Sequence, residues 1–425
     1  MSREMKDSGI EWIGEIPKGW EIFFLSSLFE EHKEKNNKLE ENNLLSLSYG
    51  NIVRKNIETK EGLLPASFDG YNIINIGDIV FRLTDLQNDK RSLRTGLCRE
   101  RGIITSAYTT IRKRADILPE YFHYQFHSFD VCKVFYGLGD GVRQSMKYDD
   151  LKKLLVLKPS FPEQQKIANR LDTKCTEIDN LISLQEEMIA ELKAYKQSVI
   201  TEAVCKGLDN NVPMKDSGIA WIGEIPEKWN LTRLKLITKE IGDGLHGTPN
   251  YDDNGGYYFI NGNNLGTDVI NLHIDTRQVN ENEYKKYKIK LDFNSILISL
   301  NGTIGNLSFY NGELVILSKS SGYINLEDTE NKYFIKYVLM SDVCKRYFNN
   351  SFSGTTINNL SLNTLRNTTI VYPPLSEQQS IANYLDKKCA NIDELISIKQ
   401  QKADELKEYK KSMIYEYVTG KKEVI

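Results

Sequence analysis

Two segments of this 425-residue chain occur twice, in the same order. The run MKDSGIEWIGEIPKGW at 5–20 returns as MKDSGIAWIGEIPEKW at 214–229, identical at 13 of 16 positions with an offset of 209. Residues 163–204 return at 377–418 with an offset of 214 and 24 of 42 positions identical. A repeat this long makes each half large enough to bury a core of its own, so the chain folds as A-B-C-A′-B′-C′. The intervening blocks resemble each other weakly: YFHYQFHSFDVCKVFY at 121–136 aligns with YFIKYVLMSDVCKRYF at 333–348. B and B′ therefore read as one architecture with two different surfaces.

The C blocks read as long helices. A strict 4-3 spacing selects Leu171, Cys175, Ile178, Ile182, Gln185, Ile189, Leu192, Lys196, Val199 and Ala203, eight of the ten apolar. The second copy gives Leu385, Cys389, Ile392, Ile396, Lys399, Ala403, Leu406, Lys410, Met413 and Tyr417, with the polar interruptions at equivalent places. A period of 3.5 without internal Pro or Gly is a coiled-coil seam. Ser160 to Glu163 and Ser376 to Gln379 have capping-box spacing, and Gly207 and Gly420 follow the ends. Each helix either pairs with the other or packs on its own block. An antiparallel pair with a globular domain at either end, related by pseudo-twofold symmetry, needs the fewest long connections.

Probable-strand composition marks Ile79 to Leu83 and Gly102 to Thr105 in B, and Ser295 to Leu300, Leu314 to Leu317 and Ser321 to Asn325 in B′. An aromatic helix follows in each, at 121–136 and 333–348. The fold class is α+β: two similar mixed α/β globular domains separated by the two long helices. The expected boundaries are 1–158, 159–206, 207–372 and 373–425.

Composition excludes several classes. With 40% hydrophobic and 27% charged residues the chain is not disordered. No run approaches 18 apolar residues and the start lacks an apolar leader, so a cytoplasmic location is expected. Six cysteines with no C-x-x-C fit neither a disulfide scaffold nor a zinc ribbon. A net charge of -3 gives no bulk reason to bind nucleic acid, which leaves local patches.

One such patch runs from 90 to 114. Lys90, Arg91, Arg94, Arg99, Arg101, Arg112, Lys113 and Arg114 face a single acid, Glu100, for a net +7. It could neutralise phosphates, or be a solvated basic face. B′ is near neutral but rich in Asn and Thr, around Asn261, Asn263 and 354–358; Asn can read adenine, though such runs also make ordinary turns.

Other apparent motifs carry no chemistry. Gly242 to Gly247 fits G-x-G-x-x-G, but no helix pattern follows it. His123 and His127 sit at i, i+4, yet the second copy has Ile335 and Leu339 there, which reads as an apolar face rather than a metal site. No phosphate-binding loop, nucleophile elbow or amino-methyltransferase motif is present, so no catalytic constellation and no metal site is expected.

The segment before each globular block, Met-Lys-Asp-Ser-Gly-Ile-x-Trp-Ile-Gly-Glu-Ile-Pro-x-x-Trp, and the segment after it, Pro-x-x-x-Glu-Gln-Gln-x-Ile-Ala-Asn-x-Leu-Asp at 159–172 and 373–386, resemble the specificity subunit of type I restriction-modification systems. The resemblance spans essentially the whole chain. It implies two target-recognition domains, each reading half of a bipartite, asymmetric double-stranded DNA site, with the paired helices as a ruler. It also implies two modification subunits, which bind S-adenosylmethionine and methylate adenine N6. Restriction subunits, with ATP and Mg, cleave unmodified DNA. The chain itself would be non-enzymatic and hold no cofactor. The alternative is a coiled-coil scaffold with two protein-binding heads and no sequence-specific DNA recognition.

Family members place a Gly-x-His-x-Thr-Pro element early in a recognition domain, matched by Gly244, His246, Thr248 and Pro249 with Gly247 between. Block B shows Ser48-Tyr-Gly-Asn51 instead. The candidate DNA-facing residues are Tyr49, Asn51, Lys90, Arg91, Arg94, Arg99, Arg101, Tyr108, Arg112, Arg143 and Gln144 in B. In B′ they are Gly244, His246, Thr248, Asn261, Asn263, Thr355, Thr356 and Asn358.

Overall fold

The computed structural model describes residues 3–37, 39–58, 67–86, 93–137, 145–302, 304–351 and 359–424. The chain divides into two compact units, one of residues 1–186 with 401–425 and the other of 187–400.

The same frame is built in each. In the first unit, strands Met5–Asp7 and Glu15–Pro17 pair antiparallel, Met5 opposite Pro17 and Asp7 opposite Glu15. In the second, Met214–Asp216 and Glu224–Pro226 repeat that register. Glycines supply the left-handed backbone between them, Gly9 and Gly14 at φ 68° and 69°, Gly218 and Gly223 at 71° and 75°. The next strand, Glu21–Phe24, pairs with Leu155–Lys158 at the far end of the block, and Asn230–Arg233 pairs likewise with Thr369–Tyr372. Each block is thus clasped at its two ends before the chain enters a long helix.

Within each clasp lies a four-stranded antiparallel sheet of matching topology. Its order is Phe29–Glu31, Thr109–Lys113, Ile79–Phe81, Thr95–Leu97 in the first unit and Thr238–Asp243, Ser321–Leu326, Ser295–Ser299, Leu307–Phe309 in the second. The additions to that sheet differ. The first unit adds a hairpin, Leu45–Ser48 with Asn51–Arg54, and a pair, Asn72–Ile74 with Gly102–Ile104. The second adds a three-stranded sheet in which Tyr257–Ile260 runs parallel to Val315–Leu317.

The aromatic helix stops short of its sequence pattern in the first copy and is broken in two in the second. It spans Pro119–Val131 in the first unit, stopping before Lys133 at φ 61°. In the second it breaks at Ser341 into Lys332–Met340 and Asp342–Asn350, because the Ser341 hydroxyl accepts from Cys344 N and starts a new helix.

The long helices span Phe161–Lys206 and Leu375–Val418, about 69 and 66 Å at ~1.5 Å per residue. Their starts are not capping boxes. Ser376 lies inside its helix, and the first turn is held by glutamine: Gln164 Nε2 donates to Pro159 O at 2.9 Å and Gln378 Nε2 to Pro373 O at 3.0 Å. Each helix gives its first part to one unit and its last part to the other.

Both packing alternatives for the helices therefore hold at once. In the first unit Ile167, Leu171, Cys175 and Ile178 of one helix share a core with Met413, Ile414, Tyr417 and Val418 of the other, and with Trp20 and Phe126 of the block. In the second, Ile381, Leu385 and Cys389 join Ile200, Ala203 and Val204 around Trp229 and Phe334. The pairing is antiparallel in each. Lys410 reaches Asp179 (2.6 Å) and Lys407 reaches Glu186 (3.2 Å) in the first unit; Lys196 reaches Asp393 (2.7 Å) in the second. Lys196 and Lys410 are the equivalent polar interruptions of the seam, and each is answered by the equivalent aspartate. Seam residues Leu171, Ile178, Ile189, Leu385, Ile392 and Met413 are buried, while Ile182, Leu192, Val199, Ile396 and Leu406 are half-buried. No helix among the described residues is long and apolar enough to cross a membrane.

Candidate nucleic-acid interface

In the first unit the added hairpin pairs from Leu45 opposite Arg54 to Ser48 opposite Asn51, leaving Tyr49 and Gly50 as the entire turn. Both have positive φ, 45° and 83°, the backbone of a tight two-residue connection. Gly50 adopts it freely and Tyr49 at a cost. The Tyr49 side chain stands in solvent, 73% exposed, beside exposed Asn51. A ring held out this way offers a face on which a base or sugar can stack.

The basic cluster of residues 90–114 does not form one surface. Lys90 and Arg91 lie outside the described residues, as do Arg143 and Gln144. Arg94, expected to face DNA, is buried in the unit. Its guanidinium donates to the carbonyls of Arg82 (3.3 Å), Thr84 (2.9 Å) and Asp85 (3.2 Å), and its main-chain N–H donates to Asp130 Oδ2 at 2.5 Å. It cross-links the interior, since a buried guanidinium needs acceptors on every side. Arg112 forks onto Asp78 at 2.8 and 2.9 Å, and the Asp78 hydrogen bonds raise its pKa further. Arg101 donates to Glu41 (3.2 Å) and Arg99 lies 3.6 Å from Asp172. The local sum of +7 is thus drawn down by carboxylates outside the segment. Tyr108 is half-buried against Leu45, Ile74 and Val80. Tyr49, Asn51, Arg99 and Arg101 remain exposed.

In the second unit the candidates converge. Gly244 follows the strand Thr238–Asp243, and a Cβ on it would lie 2.0 Å from Leu317 O, so only glycine permits this approach. Leu245 N then donates to Leu317 O at 2.8 Å, and Lys319 N to Leu245 O at 3.0 Å. From the other side Ser318 N donates to Ile260 O, and Gly262 N to Ser320 Oγ at 3.0 Å. The turn 318–320 therefore joins the segment of His246 and Thr248 to the segment of Asn261 and Asn263. His246, Thr248, Asn261 and Asn263 are exposed, with His246 Nε2 2.7 Å from Asp243 Oδ2. Asn261 Oδ1 accepts from Asn263 N at 2.8 Å, which shapes the turn as well as exposing an amide. Thr355, Thr356 and Asn358 lie outside the described residues, but Asn359 bridges Asn301 and Leu360 N donates to Leu300 O at the same rim.

Sequence reasoning missed Lys319, which is exposed on that turn. The signal was present: a three-residue gap between two recognisable strands must be a turn, and this one carries a lysine. Burial pushes His123 down to about 3, with His127 and Arg99 adding to it, and His127 to about 4, helped by Lys410 and Lys411. No group of three or more potential metal ligands occurs among the described residues.

Comparison with known proteins gives these rims a context. The model of the type I restriction modification DNA specificity domain matches residues 226–408. The MjaVIII type I restriction enzyme specificity subunit of Methanocaldococcus jannaschii is 25% identical over 335 residues, covering 76% of this chain and 75% of that one. A second chain of that organism, provisionally named the MjaX specificity subunit, is 24% identical and covers 96% and 95%. A solved structure concerned with complex assembly and conformational transition of the type I R-M system matches with a TM-score of 0.70 over 95% of this chain and 99% of that one, at 17% identity, which speaks for the fold. Doubled motifs, relatives of similar extent and a shared fold point the same way: over almost its whole length the chain is similar to specificity subunits of type I restriction-modification systems.

Proposed function

We propose that this chain selects the DNA sequence for a type I restriction-modification complex and holds its subunits together, while its partners carry the chemistry. Each unit reads one half of a bipartite site, and the halves differ. The observation that carries this reading is one frame, repeated register for register, bearing two unlike rims. The first rim offers a tyrosine-tipped hairpin and arginines. The second offers His246, Thr248, Asn261, Asn263 and Lys319. Arginine and asparagine suit guanine and adenine edges, and lysine suits phosphate.

A second duplication supports the partners. Leu181, Leu184 and Tyr409 in the first unit, and their repeat equivalents Leu395, Ile398 and Tyr195 in the second, are 46–55% exposed on otherwise polar helices. An apolar patch given twice suits two copies of one docking protein. These are two modification subunits that bind S-adenosylmethionine and methylate adenine N6, the base leaving the stack to reach them. ATP and Mg belong to the restriction subunits, and this chain holds no cofactor.

The test is to co-purify the chain with its modification partner and map methylation on a random-sequence DNA library. One asymmetric bipartite motif is expected. Sequence-blind binding by that complex, with no motif methylated, would instead support a scaffold with two protein-binding heads.

A further inference from the structure

The repeat shows one tryptophan–glutamate pair in two states. In the second unit the Trp229 indole N–H donates to Glu377 Oε2 at 2.9 Å. The equivalents in the first unit are Trp20 and Glu163, at the offsets of 209 and 214. There the Glu163 carboxylate pairs with the guanidinium of Arg3 instead. Arg3 Cζ lies 5.4 Å from the centroid of the Trp20 ring. Trp20 Nε1, though buried, has no hydrogen-bond partner among the described residues. In the second unit carboxylate and indole meet directly, and in the first a guanidinium stands against both of their equivalents.

Arg3 corresponds to Val212, whose side chain carries no charge. Where Val212 stands, the second unit has a cavity of about 130 Å³. It is bounded by Pro213, Pro226 and Gly207, with Trp229 and Glu377 among its walls. Of its charged lining, Asp209, Glu227 and Glu377 oppose Lys206 and Lys228, a net of -1. An aromatic face, a carboxylate and a slight excess of negative charge suit a planar, weakly hydrated cation.

We propose that this cavity receives a guanidinium, the side chain of an arginine presented by a docking polypeptide. Arg3 is the precedent within the chain: it occupies the equivalent place on its own unit, so the second unit lacks the residue that the first supplies for itself. On binding, Glu377 turns from Trp229 Nε1 to the guanidinium and pairs with it as Glu163 pairs with Arg3. A lysine ammonium can pair with Glu377 but lacks the plane that lies against the indole. The site does not depend on DNA recognition, so it can be tested apart from it.

The experiment follows the indole N–H resonances of the ¹⁵N-labelled full chain, the Trp229 signal being assigned by its loss in Trp229→Phe. The probes are N-acetyl-arginine methylamide, the corresponding blocked lysine, and free arginine. Blocked arginine should move the Trp229 resonance saturably, with blocked lysine about tenfold weaker, as expected for losing one charge-assisted hydrogen bond. Glu377→Gln should weaken the response about tenfold. Val212→Arg, which supplies the occupant internally, should show the shifted resonance without ligand and respond no further. An unmoved resonance in the folded wild type, or an undiminished response in Val212→Arg, overturns the site. Free arginine binding more tightly than the blocked form would make it an amino-acid site and overturn the docking assignment.

Discussion

The first unit turns its most strongly charged side chains inward or pairs them, whereas the second leaves weaker polar groups on an open rim. Arg94 is buried among carbonyls and Arg112 is locked to Asp78, while His246, Asn261, Asn263 and Lys319 stand exposed around one turn. Charge counted along a sequence is therefore a poor guide to the surface. The segment with +7 presents less free charge than its composition promises, and the near-neutral block presents a connected polar face.

The largest effect separating the units should come from Arg94. Arg94→Met leaves the carbonyls of Thr84 and Asp85 without their buried donor, so a loss of about 3 kcal/mol or more is expected. Urea unfolding followed by circular dichroism measures it. A variant as stable as the wild type would mean that Arg94 is dispensable inside and free to serve outside.

Gly244→Ala should come next. Its Cβ would meet Leu317 O at 2.0 Å, backbone that cannot swing aside, so the cost is about 1–3 kcal/mol and the rim moves with it. Gly50→Ala, at φ 83° against the Leu93 side chain at 3.1 Å, should cost about 1 kcal/mol. Methylation assays on sites altered in one half at a time would sharpen the contrast. Gly244→Ala should relax one half-site only, and equal loss at both would break the assignment of one rim to one half.

The frame was legible because its signals are local. The doubled motif fixes the clasp, and the 4-3 spacing fixes the helices down to Lys196 and Lys410. The role of Gln164 and Gln378 was hidden, since a side chain that closes its own helix start looks like any polar residue. The rims were legible only in part. Arg101 finds Glu41 and Arg112 finds Asp78 across separations of 60 and 34 residues, which no window of composition can see. Lys319 was overlooked for the opposite reason: it is one charge in a neutral block, given meaning by what the turn joins.

Acid should separate the units less strongly than Arg94 does. Burial holds His127 at about 4 and His123 at about 3, against an ordinary 6.5. Between those values the unfolded chain binds protons that the folded chain does not. Stability that is full above about pH 6.5 is therefore lost as pH falls toward 4. The second unit has Ile335 and Leu339 at the aligned positions, both buried, so the first unit should open first. The double variant His123→Ile/His127→Leu, taken from the other half, should flatten the decline between pH 7 and 5 in urea titrations. An unchanged slope would place the acid sensitivity elsewhere.

The smallest effect tests the comparison most directly. Lys319 is exposed and forms no ion pair among the described residues, whereas the Arg101 charge is engaged by Glu41. Removing a cation that neutralises a phosphate lowers the slope of log K against log salt by about 0.9. Lys319→Ala in the assembled complex should show that drop, with stability unchanged within about 0.5 kcal/mol. Arg101→Ala should change the slope less, because its counter-charge is already supplied from within the protein and little is released on binding. If the two variants shift the slope equally, the carboxylates of the first unit give way when DNA arrives, and its basic segment is a phosphate-binding surface after all.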